Sequence, residues 1–371
     1  MSTVDIDWNW VKEMLRHLRI VFGVLVCFLL LWFLFRDTDW RVLGNSLSRI
    51  NFSWLLLAFI LAFASLFARV QRWSYVVRAT QPAAFRNMFS ATQIGMLLNS
   101  LIPARLGDLA RGFVFASLES ISFTRSFTMV ALDRINDVIA LVAVLLVAAL
   151  SFPSNSDIEF AAGAFGNSES VIVSYSIIQT IAKSLTGVIA LVMLVLVFLY
   201  FQQELVLRLI RKIFEPVSRR FSEWVSAIFM NFAAGMQIFR SGIQMAKSVV
   251  WSFITWGLVA LSFAALFKAF HLDFPWYGPF VMLAILGVFT SITVTPGMLG
   301  QYHVPVVASL LMILPGMNVD EAKAVAIVAH LLALLPPVVL GVYSMLGENL
   351  RLGDLIPKRQ VKSINRDQVN D

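Results

Sequence analysis

Charge is scarce in this chain. Lys, Arg, Asp and Glu make up 14% of its 371 residues, against roughly 25% in an ordinary soluble domain. Cysteine is nearly absent: Cys27 stands alone inside an apolar run, which excludes a disulfide framework and a cysteine metal site. The four histidines, at 17, 271, 303 and 330, are dispersed. No His-x-x-x-His, Glu-x-x-His or Gly-x-Ser-x-Gly pattern occurs, and no phosphate-binding loop follows a strand. These absences exclude a disordered chain, a secreted disulfide scaffold and nearly any water-soluble enzyme. No catalytic set, metal or cofactor is expected. What is present is apolar: 59% hydrophobic residues, with 31 Phe and 10 Trp. The composition is that of an all-α polytopic membrane protein.

A helix needs about 20 apolar residues to span a hydrocarbon core about 30 Å thick. Six runs qualify as spans: 20–35, 52–68, 138–150 (extended back toward Ala131), 177–201, 248–267 and 324–346. Two more are interrupted. Segment 87–104 carries Asn99, Ser100 and Pro103 and leads into Arg105. Segment 274–302 breaks at Thr295-Pro296-Gly297, and 304–314 resumes briefly. Such breaks at membrane depth are tolerated only where protein or a wet cavity surrounds them. Both read as re-entrant hairpins, with two kinked spans and a short surface helix as the alternative.

Charge distribution orients the spans. Segment 69–87 has Arg69, Arg72, Arg78 and Arg86 and no acid; 203–247 and the tail 347–371 are also basic. Loop 153–176 carries Asp157, Glu159 and Glu169 and no basic residue. The basic segments belong inside and the acidic loop outside, so both termini are expected in the cytoplasm. The net charge of +7 then reports topology rather than a nucleic-acid partner. Residues 1–19 read as an interfacial helix, with Trp8, Val11, Leu15 and Leu18 on one face, or as a plain cytosolic lead-in. No cleavable signal is expected, since the first apolar run is long enough to anchor. Segment 205–220 alternates apolar pairs with basic residues and reads as an amphipathic helix on the inner surface. Trp residues 32, 40, 54, 73, 251, 256 and 276 fall mostly near predicted span ends and read as an interfacial belt.

The chain repeats itself. Pro103-Ala-Arg-Leu-Gly-Asp108 lines up with Pro296-Gly-Met-Leu-Gly-Gln301. Residues 20–152 read span, span, hairpin, span, and 177–346 read the same. An odd number of crossings in each half makes this an inverted-topology repeat, a plan on which many transporters are built.

The polar residues that stand out are Asn99, Arg105, Asp108 and Arg111, then Asp133, Arg134, Asn136 and Asp137. Charges at membrane depth are costly, so they should pair or line a wet cavity. Asp108 and Arg111 can meet on one helical face, and Asp133 and Asp137 share another. Arginines converging at a broken helix also suit a phosphate, because the guanidinium fork matches its oxygens. A structural salt-bridge cluster is the competing reading. In the second break Thr290, Ser291, Thr293, Thr295, Gln301, Tyr302 and His303 are polar but uncharged, while Gly297 and Gly300 permit tight geometry. They suit a cavity wall or gate, or simply close packing. His330, in mid-span, is a functional candidate or a neutral histidine bonded to a neighbouring helix.

Pro103-Ala-Arg-Leu-Gly-Asp-Leu-Ala-Arg111, Asp133-Arg-Ile-Asn-Asp137 and Thr295-Pro-Gly-Met-Leu-Gly300 together resemble the transmembrane region of lysylphosphatidylglycerol synthases, a flippase-like membrane family. The resemblance covers essentially the whole chain. The family's first motif commonly reads Pro-x-Arg-x-Gly-Glu with an Arg three residues on, its second Glu-Arg-x-x-Asp, and its third Pro-Gly-Gly-x-Gly. Here Asp replaces Glu at 108 and 133, Met298 stands where a second Gly is usual, and His303 stands where many relatives carry an acid. The resemblance implies a protein of a bacterial inner membrane, or an archaeal one, that moves a phospholipid between leaflets. It implies no lysyl-lipid synthesis, because the tail after Leu346 is too short for a soluble aminoacyltransferase domain.

On this reading Arg105, Asp108, Arg111, Arg134 and Asn99 contact an anionic headgroup. Pro103, Gly107, Asp133, Asp137, Pro296, Gly297, Gly300, Gln301 and His303 shape or gate the path. Membrane lipids are the expected partners, with a second copy or a lipid-synthesis enzyme as possible protein partners. Two alternatives remain: a membrane enzyme or accessory protein acting on lipid-linked phosphates or sugars, and a scaffold with a structural polar cluster.

Overall fold

The computed structural model describes residues 8–102, 106–151, 158–160, 171–173, 201–235, 241–290 and 294–350, with a few scattered helical positions between 180 and 198. The first half holds α1 (Trp8–Phe35), α2 (Trp40–Ser48), α3 (Phe52–Arg78), α4 (Phe85–Leu101), α5 (Gly107–Leu118) and α6 (Phe123–Ser151). The second half holds α7 (Gln203–Phe214), α8 (Arg219–Gly235), α9 (Gly242–Ala269), α10 (Gly278–Phe289), a 3₁₀ turn (Pro296–Met298), α11 (His303–Ile313) and α12 (Val319–Gly347). A two-stranded antiparallel ribbon, Ile158–Phe160 with Val171–Val173, adds a small β element in the acidic loop. Four of the described helices are long and apolar enough to cross a membrane: α3, α6, α9 and α12. A fifth crossing is available if the bent pair Val21–Phe35 and Trp40–Ser48, meeting at 90°, counts as one. The span expected at 177–201 lies almost wholly outside the described residues.

Helix ends follow local chemistry. Asp39, Asn51 and Asn318 precede α2, α3 and α12, and each accepts from a backbone N–H of the first turn, at 2.9, 3.1 and 2.8 Å for the shortest bonds. Gly316, at φ 84°, lets the chain turn before α12 where a side chain would strain it. The boundaries correct several sequence expectations. Helix α1 is continuous from Trp8, so no separate helix ends at residue 19. Helix α3 runs past Ala68 to Arg78, placing Arg69 and Arg72 inside a helix rather than in a loop. The apolar period carries through the arginines: Val70, Trp73, Val76 and Val77 are fully buried. Trp73 is therefore a core residue and not part of an interfacial belt.

Two hydrophobic clusters hold the molecule together. One joins α3, α4, α5 and α6 through Trp73, Met88, Ile94, Phe115 and Met129. The other joins α9, α10, α11 and α12 with the far end of α6, through Val144, Phe267, Met282, Leu310 and Val325. The packing runs in matched pairs. Helix α3 lies along α9; α4 lies against α12 and α6 against α10. Within the halves, α5 packs on α4 and α6, as α11 packs on α10 and α12. Large apolar side chains such as Leu56, Ile60, Phe253, Leu261 and Val339 face outward, as suits a surface solvated by lipid tails.

Candidate functional site

Because α3 continues to Arg78 and α6 begins at Phe123, two arginines and two aspartates face each other well inside long apolar helices. Arg72 Nε donates to Asp133 at 2.8 Å, and its Nη1 to Asp137 at 2.5 Å. Arg69 Nη1 donates to both Asp137 oxygens, at 3.1 and 3.2 Å. From α5, Arg111 Nη1 donates to the other Asp133 oxygen at 2.9 Å. Its guanidinium lies over the Trp73 ring, 3.8 Å from the centroid, and the Trp73 indole donates to the Met129 carbonyl at 3.2 Å. Arg134 donates to Asp137 at 2.9 Å and to Asp108 through both Nε, at 3.0 Å, and Nη2. Asp108 also accepts from Asn99 at 3.3 Å.

One network thus runs from Arg111 through Asp133, Arg72, Asp137 and Arg134 to Asp108. Four arginines meet three aspartates in it, leaving one positive charge uncompensated within the network. Among the described residues, four buried guanidinium nitrogens, Arg69 Nε, Arg72 Nη2, Arg111 Nε and Arg111 Nη2, have no hydrogen-bond partner. Unmade bonds on buried charged groups are costly, so the network holds an unmet demand for acceptors. Asp108 does not pair with Arg111, despite the helical spacing; α5 turns Arg111 toward Asp133 and leaves Asp108 for Arg134. Asn136 instead ties α6 to α9 by donating to the Ser248 hydroxyl at 2.8 Å.

The two helix breaks are built alike, each around an amide side chain. In the first, the Asn99 oxygen accepts from the Gly107 N–H at 2.9 Å. Gly107 is pressed against α4: a Cβ there would sit 1.9 Å from the Gly95 carbonyl oxygen. In the second, Gln301 donates to the Phe289 carbonyl at 2.8 Å and accepts from Val294 N–H at 2.9 Å and Thr295 N–H at 3.3 Å. Gly300, at φ 75°, abuts α1, where a Cβ would fall 2.6 Å from Leu30 Cβ. Gly297 and Met298 also have positive φ, 63° and 55°. His330 Nε2 donates to the Gly297 carbonyl at 2.8 Å, and its ring lies 4.7 Å from that of His303. Helix α4, which leads into the first break, also touches the 296–298 turn of the second.

Pro103 and Arg105 lie outside the described residues. Asn99, Asp108, Arg111, Arg134, Asp133 and Asp137 come together, whereas Pro296, Gly297, Gly300, Gln301 and His303 form the second break. Sequence reasoning missed Arg69 and Arg72, counting them as orienting charges of a loop. The available signal was the apolar period continuing past them to Val77.

A family model for the lysylphosphatidylglycerol synthase transmembrane region matches residues 20–341. A UPF0104 membrane protein of Methanocaldococcus jannaschii is 26% identical over 234 residues, which is 62% of this chain and 85% of that relative.

Proposed function

Since this chain belongs to the lysylphosphatidylglycerol synthase transmembrane-region family, we propose that it moves an anionic phospholipid or lipid-linked phosphate between leaflets of a bacterial cytoplasmic membrane. The observation that carries this reading is the arginine excess of the buried network together with its four unpartnered guanidinium nitrogens. A phosphate supplies both the missing charge and the missing acceptors. Arg105, Arg111 and Arg134, with Asn99 and Asp108, belong to the headgroup path; Asp133 and Asp137 position the arginines. Pro103 and Gly107 in one break, and Pro296, Gly297, Gly300, Gln301 and His303 in the other, allow the backbone to open. Acyl chains stay in lipid.

For this transport we propose an inverted repeat of six full spans and two re-entrant hairpins, α4–α5 and α10–α11, with both termini cytoplasmic. It is supported by the matched packing of α4 on α12 and α6 on α10. It is further supported by Gly107 and Gly300, aligned in the repeat and each held against a neighbouring helix. Movement of one repeat against the other would expose the network to each leaflet in turn.

Reconstitution with headgroup-labelled anionic lipid tests the proposal. Exchange between leaflets should run well above that of protein-free vesicles. Rates equal to protein-free vesicles for several anionic lipids would refute it. A purely structural network is the second reading, favoured by the pairing of all three carboxylates. Arg134→Gln separates the two: transport predicts a folded but slow protein, and a structural role predicts loss of folding.

A further inference from the structure

Two buried histidines lie outside the arginine network. His303 opens α11 and His330 sits in α12; each is 5% exposed, and their ring centroids are 4.7 Å apart. His330 Nε2 carries the N–H that the Gly297 carbonyl accepts at 2.8 Å, so in the neutral ring Nδ1 holds the lone pair and is the basic atom. His303 Nδ1 is buried and has no partner among the described residues. Neither ring is paired with a carboxylate among the described residues. The pair has room for one proton and resists a second, which would set two like charges side by side in an apolar surrounding.

The pair is connected in two directions. Toward the end of α12 that the proposed topology places outside, Lys323 lies two helical turns from His330 on the same face, about 10 Å along the axis. Its Nζ donates to Thr38 and to Asp320, both at 2.9 Å. Phe35, three residues before Thr38, sets its ring edge-on to His303 at 6.2 Å between centroids. In the other direction the Tyr302 ring lies 5.4 Å from that of His330. Tyr302 also lines a cavity of about 170 Å³ whose wall includes Arg69 and Ala329. Tyr302 thus links the pair to the arginine network.

The surroundings contribute few other charges. Helix α12 packs on α2, α3, α4, α9 and α11. Among the described residues, Tyr302, His303 and Arg69 are the titratable groups these elements bring to its middle. Arg86 of α4 pairs with Glu348 at the inner end, while Arg41 and Arg49 of α2 and Lys268 of α9 belong to the outer end. Around His303, α10 has no titratable side chain and the strand Ile158–Phe160 carries Glu159. Helix α1, against which Gly300 sits, carries Cys27 and ends at Arg36, paired with Asp37.

The uncompensated positive charge of the network disfavours a further cation at the pair. An anion engaging the network cancels that charge and eases protonation; by reciprocity, a proton on the pair tightens the anion. The count of charges leads to the same coupling. The empty network holds one net positive charge, and so does the network with an anion bound and the pair protonated. The network with an anion alone holds none. Only with the proton do the loaded and empty forms carry equal charge through the membrane.

We propose that His303 and His330 form a proton site reached from the outer face, and that one proton crosses with each anionic headgroup. This rests on the transport reading above and names its energy source. The proton joins His330 Nδ1 from outer water and returns to inner water as the headgroup leaves; no other bond is made or broken.

The test uses proteoliposomes with phosphatidylglycerol labelled on an acyl chain and a lumen one pH unit more alkaline than the outside. Label should accumulate about tenfold in the inner leaflet relative to protein-free vesicles, the equilibrium value for one proton per lipid. Being an equilibrium ratio, it is independent of the orientation of the inserted protein. A potassium diffusion potential should leave the distribution unchanged, and labelled phosphatidylcholine should not accumulate. His330→Gln keeps an N–H for the Gly297 carbonyl but takes up no proton, and His303→Gln removes the second ring. Both should abolish the accumulation. If either variant fails to fold or to exchange lipid, the wild type decides. Phosphatidylglycerol added to it in neutral micelles near pH 7 should take up one proton and raise an imidazolium band in the infrared difference spectrum, shifted by ring-15N histidine.

Exchange without accumulation under the pH gradient overturns the proton site and leaves transport standing. So does accumulation driven by the potential, full accumulation in either variant, or lipid addition without the imidazolium band. Proton uptake with that band, but no leaflet exchange in any vesicle, keeps the site and overturns transport. Absence of both overturns both.

Discussion

Asp133→Asn removes the negative charge shared by Arg72 and Arg111. The aspartate accepts from Arg72 at 2.8 Å and from Arg111 at 2.9 Å, and the three side chains are 1%, 0% and 4% exposed. Removing one partner of a buried ion pair costs about 3–5 kcal/mol. Arg72 keeps Asp137, so the loss falls mainly on Arg111. Among the described residues its Nε and Nη2 have no partner, and the Trp73 face that remains offsets about 0.5–2 kcal/mol. The lower end, about 3 kcal/mol, is therefore expected, a shift of about a hundredfold in the unfolding equilibrium. Unfolding in mixed micelles, followed by tryptophan fluorescence, reads it, and Trp73 itself reports on the site. Arg69→Gln is the comparison. Its bonds to Asp137 are longer than 3 Å, Asp137 retains Arg72 and Arg134, and its removal relieves the positive excess rather than stranding a charge, so a loss smaller than that of Asp133→Asn is expected. Stability of Asp133→Asn indistinguishable from wild type, or equal losses in the two variants, would refute the reasoning.

Three further substitutions probe the breaks and the helix starts. Gly107→Ala forces a Cβ toward the Gly95 carbonyl and should lower stability by about 1–3 kcal/mol or more; Gly44→Ala, which meets nothing within 4 Å, should be neutral or slightly stabilising in the same thermal scan. Gln301→Leu leaves the Val294 and Thr295 N–H groups without their acceptor, about 1–3 kcal/mol for each that stays buried, and limited proteolysis should then cut near 290–298 faster than in wild type. Asn51→Ala removes the cap of α3 and should cost about 1 kcal/mol by chemical unfolding.

Apolar runs made the long helices visible in the sequence, because a membrane demands continuous hydrophobic length. Their ends were not visible. Arg69 and Arg72 carry the same charge as true loop residues. What separates them is a carboxylate such as Asp133, 61 positions further on, which sequence spacing does not reveal. For the same reason Asp108 was matched to Arg111, its helical neighbour, when each has a partner on α6. Trp73 was grouped with interfacial tryptophans because it follows an apolar run, yet the helix continues and buries it under Arg111. The breaks were legible from Pro and Gly, but the staples across them, Asn99 to Gly107 and Gln301 to Val294, depend on backbone geometry. A cavity beside Arg69 was not legible, since helices from both halves of the chain, α3, α4, α9 and α12, make its walls together with Tyr302.

The central claim is that an anionic headgroup crosses through the arginine network. Leaflet exchange in a single batch of proteoliposomes, comparing an anionic phospholipid with diacylglycerol-anchored label of the same chains, tests it most directly. The account predicts protein-dependent exchange of the anionic lipid that Arg134→Gln and Arg69→Gln slow at least about tenfold, the loss of one charge-assisted bond. Exchange of the anionic lipid at the protein-free rate, or at a rate untouched by both substitutions, would contradict it.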